Sequence, residues 1–331
     1  MNPIISIIIP VFNRPTLVAE AIVSVLAQTN PNWELIVVDD GSTDNTWEVL
    51  ESYAAKDERI RIFKRDREPK GANRCRNMGA EMARADYLFF LDSDDLIGGT
   101  FLETRAKYIE QYPDKDFIVF PEAKFETRPE DGWWYEKKMF GEEEDLIRFF
   151  KHDHPWLISG PVWKSSSFFS IHGFDVKLTS GQDWDIHVRA ILLRLSYEKI
   201  DICNKPDCFV RLSKENTTIS NTNTFEKLFN NKMISFANLM ELEKKNRILG
   251  NDANLKLSFV SYFFRLCVKM SINGNAKKAK EFWRKIHKSR IISYNEWFYW
   301  NMYLSRVVVK NGFLKRGLES FNFRVLKFRS L

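Results

Sequence analysis

Over its first 112 residues the chain alternates short apolar runs with segments of helical periodicity, and this alternation limits the fold more than any other feature. Residues 4–11, "IISIIIPV", are β-branched and suit a buried strand. "RPTLVAEAIVSVLAQT" follows, with apolar side chains at Leu17, Val18, Ala21, Ile22, Val25 and Leu26 and with Pro15 tolerated in a first helical turn. Then come "WELIVV" as strand, "TDNTWEVLESYAAK" as helix, "RIRIFKR" as strand, "ANRCRNMGAEMARA" as helix and "DYLFFL" as strand. Such alternation predicts an α/β architecture, a doubly wound and mostly parallel sheet flanked by helices. Ligands of such sheets bind at the carboxyl ends of the strands. Two acidic clusters fall at that edge, Asp39-Asp40 after "LIVV" and Asp92, Asp94 and Asp95 after "LFFL".

Beyond about residue 113 the pattern is less regular, with "DFIVFPEAKF" as a strand and an aromatic, acidic stretch from Trp133 to Asp145. The polar run "NTTISNTNT" marks a boundary near residue 220. Charge changes there as well: Phe225 to Leu331 holds 22 Lys+Arg against 7 Asp+Glu, net +15, which leaves −9 for residues 1–224. The expected organisation is one domain over 1–220, with a regular first part (1–112) and a less regular second part (113–220). A basic, aromatic-rich helical region over 221–331 follows, with "NGNAKKAK" as a turn between helices.

With 44% apolar and 28% charged residues, neither disorder nor a fibrous repeat is expected. Cys75, Cys203, Cys208 and Cys267 lack zinc-type spacing and point to a reducing compartment, with Cys75 a small packed residue. The start "MNPIISIIIPVFNRP" has no basic n-region or small-residue cleavage site, so the expectation is a cytoplasmic protein, peripheral at the inner face of the membrane, whose sequon at Asn216 carries no glycan. In the tail, "LSFVSYFFRLCVKM" is interrupted by Arg265 and Lys269, and the run from Trp297 to Val309 is too short to span a bilayer. Amphipathic helices on an anionic membrane surface, with Trp and Phe at the interface, compete with a helical cap whose basic face is solvated. Nucleic acid is not expected as a partner, since no recognition motif is present and the first half is acidic.

An isolated Asp after a strand is ordinarily an N-cap or turn former. Carboxylates at i and i+2 on a tight turn can instead face one hard cation that completes its shell with substrate phosphates and water. Mn²⁺ or Mg²⁺ suits such a site better than zinc, for no Cys or His cluster accompanies it. His152, His154, His172 and His187 read as structural. GxxxxGK[ST] is absent, and no GxGxxG follows the first strand, which argues against P-loop and dinucleotide folds.

Three ordered blocks, "ISIIIPVFNRPTLVAEAIVSVLAQTNPNWELIVVDDGSTDNT", "KGANRCRNMGAEMARADYLFFLDSDD" and "GFDVKLTSGQDWDIHVRA", resemble the signatures of the family 2 glycosyltransferases, which have the GT-A fold. The resemblance spans roughly residues 3–215 and leaves out the basic tail. It implies an inverting glycosyltransferase using a nucleoside diphosphate sugar, commonly a UDP-sugar, with a glycan or lipid-linked glycan as acceptor. By that resemblance Pro10, Val11, Asn13 and Arg14 line the nucleotide, and Asp39 or Asp40 accepts from the base. Those two acids read equally as a turn with a helix cap. Gly71 allows close backbone approach, and Arg76 and Asn77 match the family's Arg-Asn pair, although an Arg early on a helix is also a surface residue.

Asp92-Ser93-Asp94 corresponds to the family's DxD motif. Asp94 is then the direct metal ligand, Asp92 a metal or sugar contact, and Asp95 a cap. The family's acidic pair becomes Gln182-Asp183, which keeps the base position, Asp183, and loses the first acid. Asp185 and Arg189 read as an i, i+4 ion pair. Trp163, Gln182 and Trp184 are acceptor-side candidates, as is the cluster Trp133-Trp134-Tyr135, although aromatics at such density are ordinarily core. Arg211 stands where relatives carry a diphosphate-binding Arg; the His that follows it there is missing, and Lys214 is its candidate substitute. A sugar nucleotidyltransferase and a non-catalytic nucleotide or sugar-binding module are the alternatives.

Overall fold

The structure, a computed structural model, describes residues 3–129, 133–134, 139–202, 206–212, 225–247, 249, 252–293, 297–298 and 300. The chain forms two compact units, Met1–Leu242 and a second that begins at Glu243.

The first unit is built on a seven-stranded sheet. Its strands are β1 (Ile5–Val11), β2 (Trp33–Asp39), β3 (Ile60–Lys64), β4 (Tyr87–Phe90), β6 (Phe117–Val119), β9 (Pro161–Lys164) and β10 (Tyr197–Lys199), in the order β10-β6-β9-β4-β1-β2-β3. β9 runs antiparallel to both neighbours and every other pairing is parallel, so the sheet is mostly parallel as expected. Every residue of β1 and β2 is buried, which is why these runs carry no alternating polar face. The crossovers are α1 (Pro15–Leu26), α2 (Thr46–Ala54) and α3 (Ala72–Met82). At Gly79, α3 comes so close to β1 that an added Cβ would lie 2.5 Å from Ile8 Cγ2.

"DFIVFPEAKF" is not one strand. Pro121, which has no N–H for a ladder, separates β6 from β7 (Ala123–Phe125), and the two belong to different sheets. β7 lies in a four-stranded sheet of order β5-β11-β7-β8, with β5 (Leu96–Ile97), β8 (Trp133–Trp134) and β11 (Cys208–Arg211). β5 directly follows the acidic cluster, so this small sheet frames the carboxyl edge of the large one. The remaining helices of the unit are α4 (Phe101–Gln111), α5 (Asp145–Phe150), α6 (Ser165–Ser170) and α7 (Gln182–Leu192), with the part of α8 (Phe225–Asn246) up to Leu242.

The second unit contains α9 (Ala253–Ile272), capped by the Asp252 carboxylate, and α10 (Ala276–Lys288), joined by a turn with Gly274 at φ +82°. The apolar face of α10 packs on α9: Phe282 meets Phe263 with ring centroids 5.8 Å apart, and Trp283 meets Phe264 at 5.0 Å. Phe282 and Trp283 are thereby buried, and the exposed face of α10 carries Lys277, Lys278, Arg284, Lys285 and Lys288. On this helix the aromatics do not supply an interfacial face. Among the described residues no helix is long and apolar enough to cross a membrane. Tyr135, Cys203, Lys214, Asn216 and the tail from residue 301 lie outside the described residues.

Candidate functional site

The last apolar residues of β4 are held in the sheet, and Leu91 still donates its N–H to Ile8 O at 3.0 Å. The chain then turns tightly, with Asp95 N–H donating to Asp92 O at 3.0 Å, and three carboxylates emerge close together. Each meets a donor from a different element. Asp92 Oδ1 lies 2.5 Å from Arg76 Nη2 of α3, and Asp94 Oδ2 lies 2.7 Å from Arg14 Nη1, just before α1. Asp95, buried, accepts the Arg211 N–H of β11 at 2.9 Å, while Arg211 Nε donates to Asp94 O at 2.8 Å. Burial, then the neighbouring carboxylates, push Asp94 above the usual carboxylate range and Asp95 well above it. The cluster thus brings Arg14, Arg76, Asp92, Ser93, Asp94 and Arg211 to one place, at the sheet edge where ligands of this architecture bind.

The other acidic pair is bound into the protein. Asp39 accepts from Gly41 N–H at 3.2 Å, Ser42 N–H at 3.0 Å and the Ser42 hydroxyl, and is buried. It is a turn former here, with both oxygens engaged. Asp40 Oδ1 lies 2.6 Å from Arg65 Nε and accepts the Gly71 N–H at 3.1 Å, so it ties β3 and the start of α3 to the end of β2. Pro10 and Val11 are buried strand residues. Asn13, at φ +51°, accepts the Thr43 N–H on its Oδ1 at 2.8 Å and joins the β1 exit to the loop after β2. Asn77 donates to Phe174 O at 2.8 Å and accepts the Phe174 N–H at 2.9 Å, which makes it a clamp on the segment leading to α7. Cys75 is buried as expected, and burial pushes its thiol up.

α7 begins after Gly181, whose φ of +69° is a left-handed conformation that disfavours a side chain. Asp183 is half-buried in the first turn. Gln182 Oε1 is buried and accepts no hydrogen bond among the described residues. Asp185 and Arg189 form the expected i, i+4 pair at 2.7 Å, and Arg189 also donates to Ile171 O and Gly173 O. Trp163 and Trp184 do not present faces to an acceptor. Trp163 stacks on Phe117 at 4.5 Å and on His187 at 6.1 Å, and Trp184 donates its Nε1–H to Phe149 O at 3.0 Å beneath Lys232. Both are core, at 1% and 0% exposure. Trp133 and Trp134 are described as the strand β8.

Two titratable groups near Asp183 escaped the sequence reading. Glu122, at the break between β6 and β7, is buried; its carboxylate accepts from Leu157 N–H and the Ser159 hydroxyl, each at 2.9 Å. Burial pushes Glu122 up to about 7, with Asp183 acting in the same direction. Lys232 of α8 is buried, its Nζ 4.3 Å from the centre of the Trp184 ring. A glutamate beside a proline is a weak sequence signal, and Lys232 is one cation among the tail's 22. His187 is a structural histidine: burial lowers it to about 3, so it is neutral.

The resemblance implies a divalent metal ion at Asp92 and Asp94. Among the described residues no group of three or more His, Cys, Asp or Glu side chains is arranged around a cation position. Asp92 and Asp94 are hard oxygen donors on one turn, which fits a Mg²⁺ or Mn²⁺ ion that takes one or two protein carboxylates and completes its shell with substrate phosphates and water. Such an ion would share Asp94 with Arg14.

In sequence and in fold the chain is similar to known glycosyltransferases. The sequence model "Glycosyl transferase family 2" matches residues 6–161. GlyG, a glycosyltransferase of Streptococcus pneumoniae, is 33% identical over 119 residues, 36% of this chain and 39% of its own length. An uncharacterized glycosyltransferase of Rickettsia bellii is 32% identical over 226 residues, 67% of this chain and 30% of that protein. The chain thus spans less than half the length of these relatives. The fold matches the crystal structure of S. aureus TarS 1-349 with a TM-score of 0.66 at 18% identity, over 99% of this chain and 93% of that one. A TarS 1-349 structure in complex with UDP-GlcNAc gives a TM-score of 0.57 at 18% identity, over 86% and 92%. The matched family segment contains both arginine–aspartate pairs and ends before Asp183. Residues 6–161 of this chain belong to glycosyl transferase family 2.

Proposed function

We propose that the protein is an inverting glycosyltransferase that moves a sugar from a nucleoside diphosphate sugar, a UDP-sugar in the first instance, to an acceptor hydroxyl. The observation that carries this reading is the convergence of Arg14, Arg76 and Arg211 on the carboxylate cluster at the carboxyl edge of a parallel sheet. Three guanidinium groups from separate elements match the charge and geometry of a diphosphate. The UDP-GlcNAc complex of TarS, which shares the fold, supports UDP as the nucleotide to try first.

In this reading Asp94 and Asp92 hold a divalent ion, which when bound supplies charge neutralisation at the departing diphosphate. Arg76 orients Asp92, Arg211 fixes the turn that carries Asp94, and Asn77 with Asn73 anchors the segment that brings Asp183 to the acceptor side. Asp183 takes the proton of the acceptor hydroxyl as its oxygen bonds to the anomeric carbon. The bond from that carbon to the diphosphate oxygen breaks in the same step, its electron pair leaves with the diphosphate, and the configuration inverts. The exposed cations of α10 suit an anionic surface, which supports a lipid-linked glycan as acceptor and a place in cell-surface glycan assembly.

The test is a hydrolysis and binding panel of UDP-, GDP- and dTDP-sugars with and without Mn²⁺. Turnover of a UDP-sugar that depends on the ion is expected. No binding or turnover of any nucleotide sugar would contradict the reading.

A further inference from the structure

The segment from Gly173 to Gly181, which delivers Asp183, is pinned from two sides. From α3, Asn73 donates to Asp175 O at 2.8 Å and to Leu178 O at 3.0 Å, and Asn77 holds Phe174. From α8, Asn231 accepts the Thr179 N–H at 3.2 Å and donates to Ser180 Oγ at 2.7 Å, and Asn238 donates to Asp175 Oδ2 at 2.7 Å. α8 lies beyond the segment matched by the family, yet it is the second support of the base-bearing loop. Next to Asn231 stands Lys232, 9% exposed. Its Nζ is 4.3 Å from the centre of the Trp184 ring, and a Cβ placed on Gly181 would sit 3.1 Å from it. The ammonium is therefore packed against the residues on either side of the Gln182-Asp183 pair.

We infer that Lys232 is a positioning residue for Asp183: its buried ammonium is the counter-charge that holds the carboxylate on the acceptor side, in place of support from the acid that Gln182 replaces. This rests on the reading of Asp183 as the base. Burial lowers Lys232 to about 8, against the opposing pull of Asp183 and then Asp185, so the ammonium stays charged at neutral pH. Among the described residues Glu122 ahead of β7, His187 on α7 and Lys232 on α8 feel the charge of Asp183, and Lys232 feels that of Asp185 as well. Burial raises Glu122 to about 7 and leaves His187 neutral, so neither brings a positive charge to Asp183. At Trp184 the arrangement is a cation over an indole face, the strongest of the aromatic partners for a buried ammonium.

The experiment measures hydrolysis across pH for whichever of UDP-GlcNAc, UDP-GalNAc, UDP-glucose and UDP-galactose is turned over. It compares wild type, Lys232→Met, Lys232→Arg and Asp183→Asn, with UDP binding by calorimetry as the check on folding. Lys232→Met is expected to lower kcat about tenfold and to move the acidic limb of the kcat profile up by about one pH unit, the scale of one nearby opposite charge. UDP affinity should stay within about twofold, and Lys232→Arg should restore kcat and limb. A Lys232→Met profile that keeps the wild-type limb, whether kcat falls or not, overturns the inference, for a purely structural role lowers turnover without moving it. Asp183→Asn separates the two claims: if it is inactive while Lys232→Met is normal, only this inference fails, and if it stays active the underlying reading fails.

Discussion

Arg14 and Asp94 face one another across the carboxyl edge of the parallel sheet, with Nη1 2.7 Å from Oδ2 and both side chains largely buried. One comes from the exit of β1 and the other from the exit of β4, neighbouring strands whose register sets Ile8 opposite Phe90. Arg14 partly offsets the upward push of burial and Asp92 on this carboxyl, which stays above the usual carboxylate range. The pair also places an arginine on the oxygen proposed to bind a metal.

Arg14→Ala should therefore strengthen Mn²⁺ binding measured without donor and weaken UDP binding. Releasing a pair of this kind is worth up to about 1 kcal/mol, or roughly fivefold in affinity. Calorimetric titration of Mn²⁺ and of UDP checks both directions. Unchanged Mn²⁺ affinity would mean that Arg14 and the ion do not compete for Asp94.

The contact between α3 and β1 leaves no room for a methyl group at Gly79, since its Cβ would meet Ile8 Cγ2 at 2.5 Å inside the core. Gly79→Ala should destabilise the protein by about 1–3 kcal/mol, the usual cost of overpacking. The urea midpoint of unfolding is the readout. Because α3 also carries Arg76, UDP binding should weaken in the same variant.

His187 gives an acid-sensitive contribution to stability. Its ordinary pKa is 6.5 and burial lowers it to about 3 in the folded chain, so between those values the unfolded chain binds a proton that the folded one does not. Stability should fall as pH drops below about 6.5, by up to ~1.4 kcal/mol per pH unit from this residue. His187→Phe, which keeps an aromatic ring beside Trp163, should flatten that slope in denaturation curves between pH 6 and 4. An unchanged slope would place the acid sensitivity in other groups.

Much of the fold was legible in the sequence because β1, β2 and β4 are buried on both faces and so carry unbroken apolar runs. The split of "DFIVFPEAKF" between two sheets was not, because the sheet a three-residue strand joins depends on pairing partners far along the chain. The acidic cluster could be singled out as a candidate site from its spacing and its place after a buried strand. Its arginine partners could not, since they come from about 80, 16 and 117 positions away. Asp39 shows the converse: a carboxylate that fits a ligand role by motif is engaged by its own turn, through local hydrogen bonds that Asp offers readily. For Trp163 and Trp184 the sequence offers both a sugar platform and a core role, and the structure buries both side chains, one on antiparallel β9 and one on α7.

Asp183 is the group proposed to take the acceptor's proton. The most direct measurement is sugar transfer and UDP binding by Asp183→Asn beside the wild type, on the donor identified in the panel. The expected result is UDP affinity within about twofold and turnover lowered by roughly 10²–10⁴-fold, the contribution of a positioned general base. Turnover equal to the wild type with UDP still bound would contradict it.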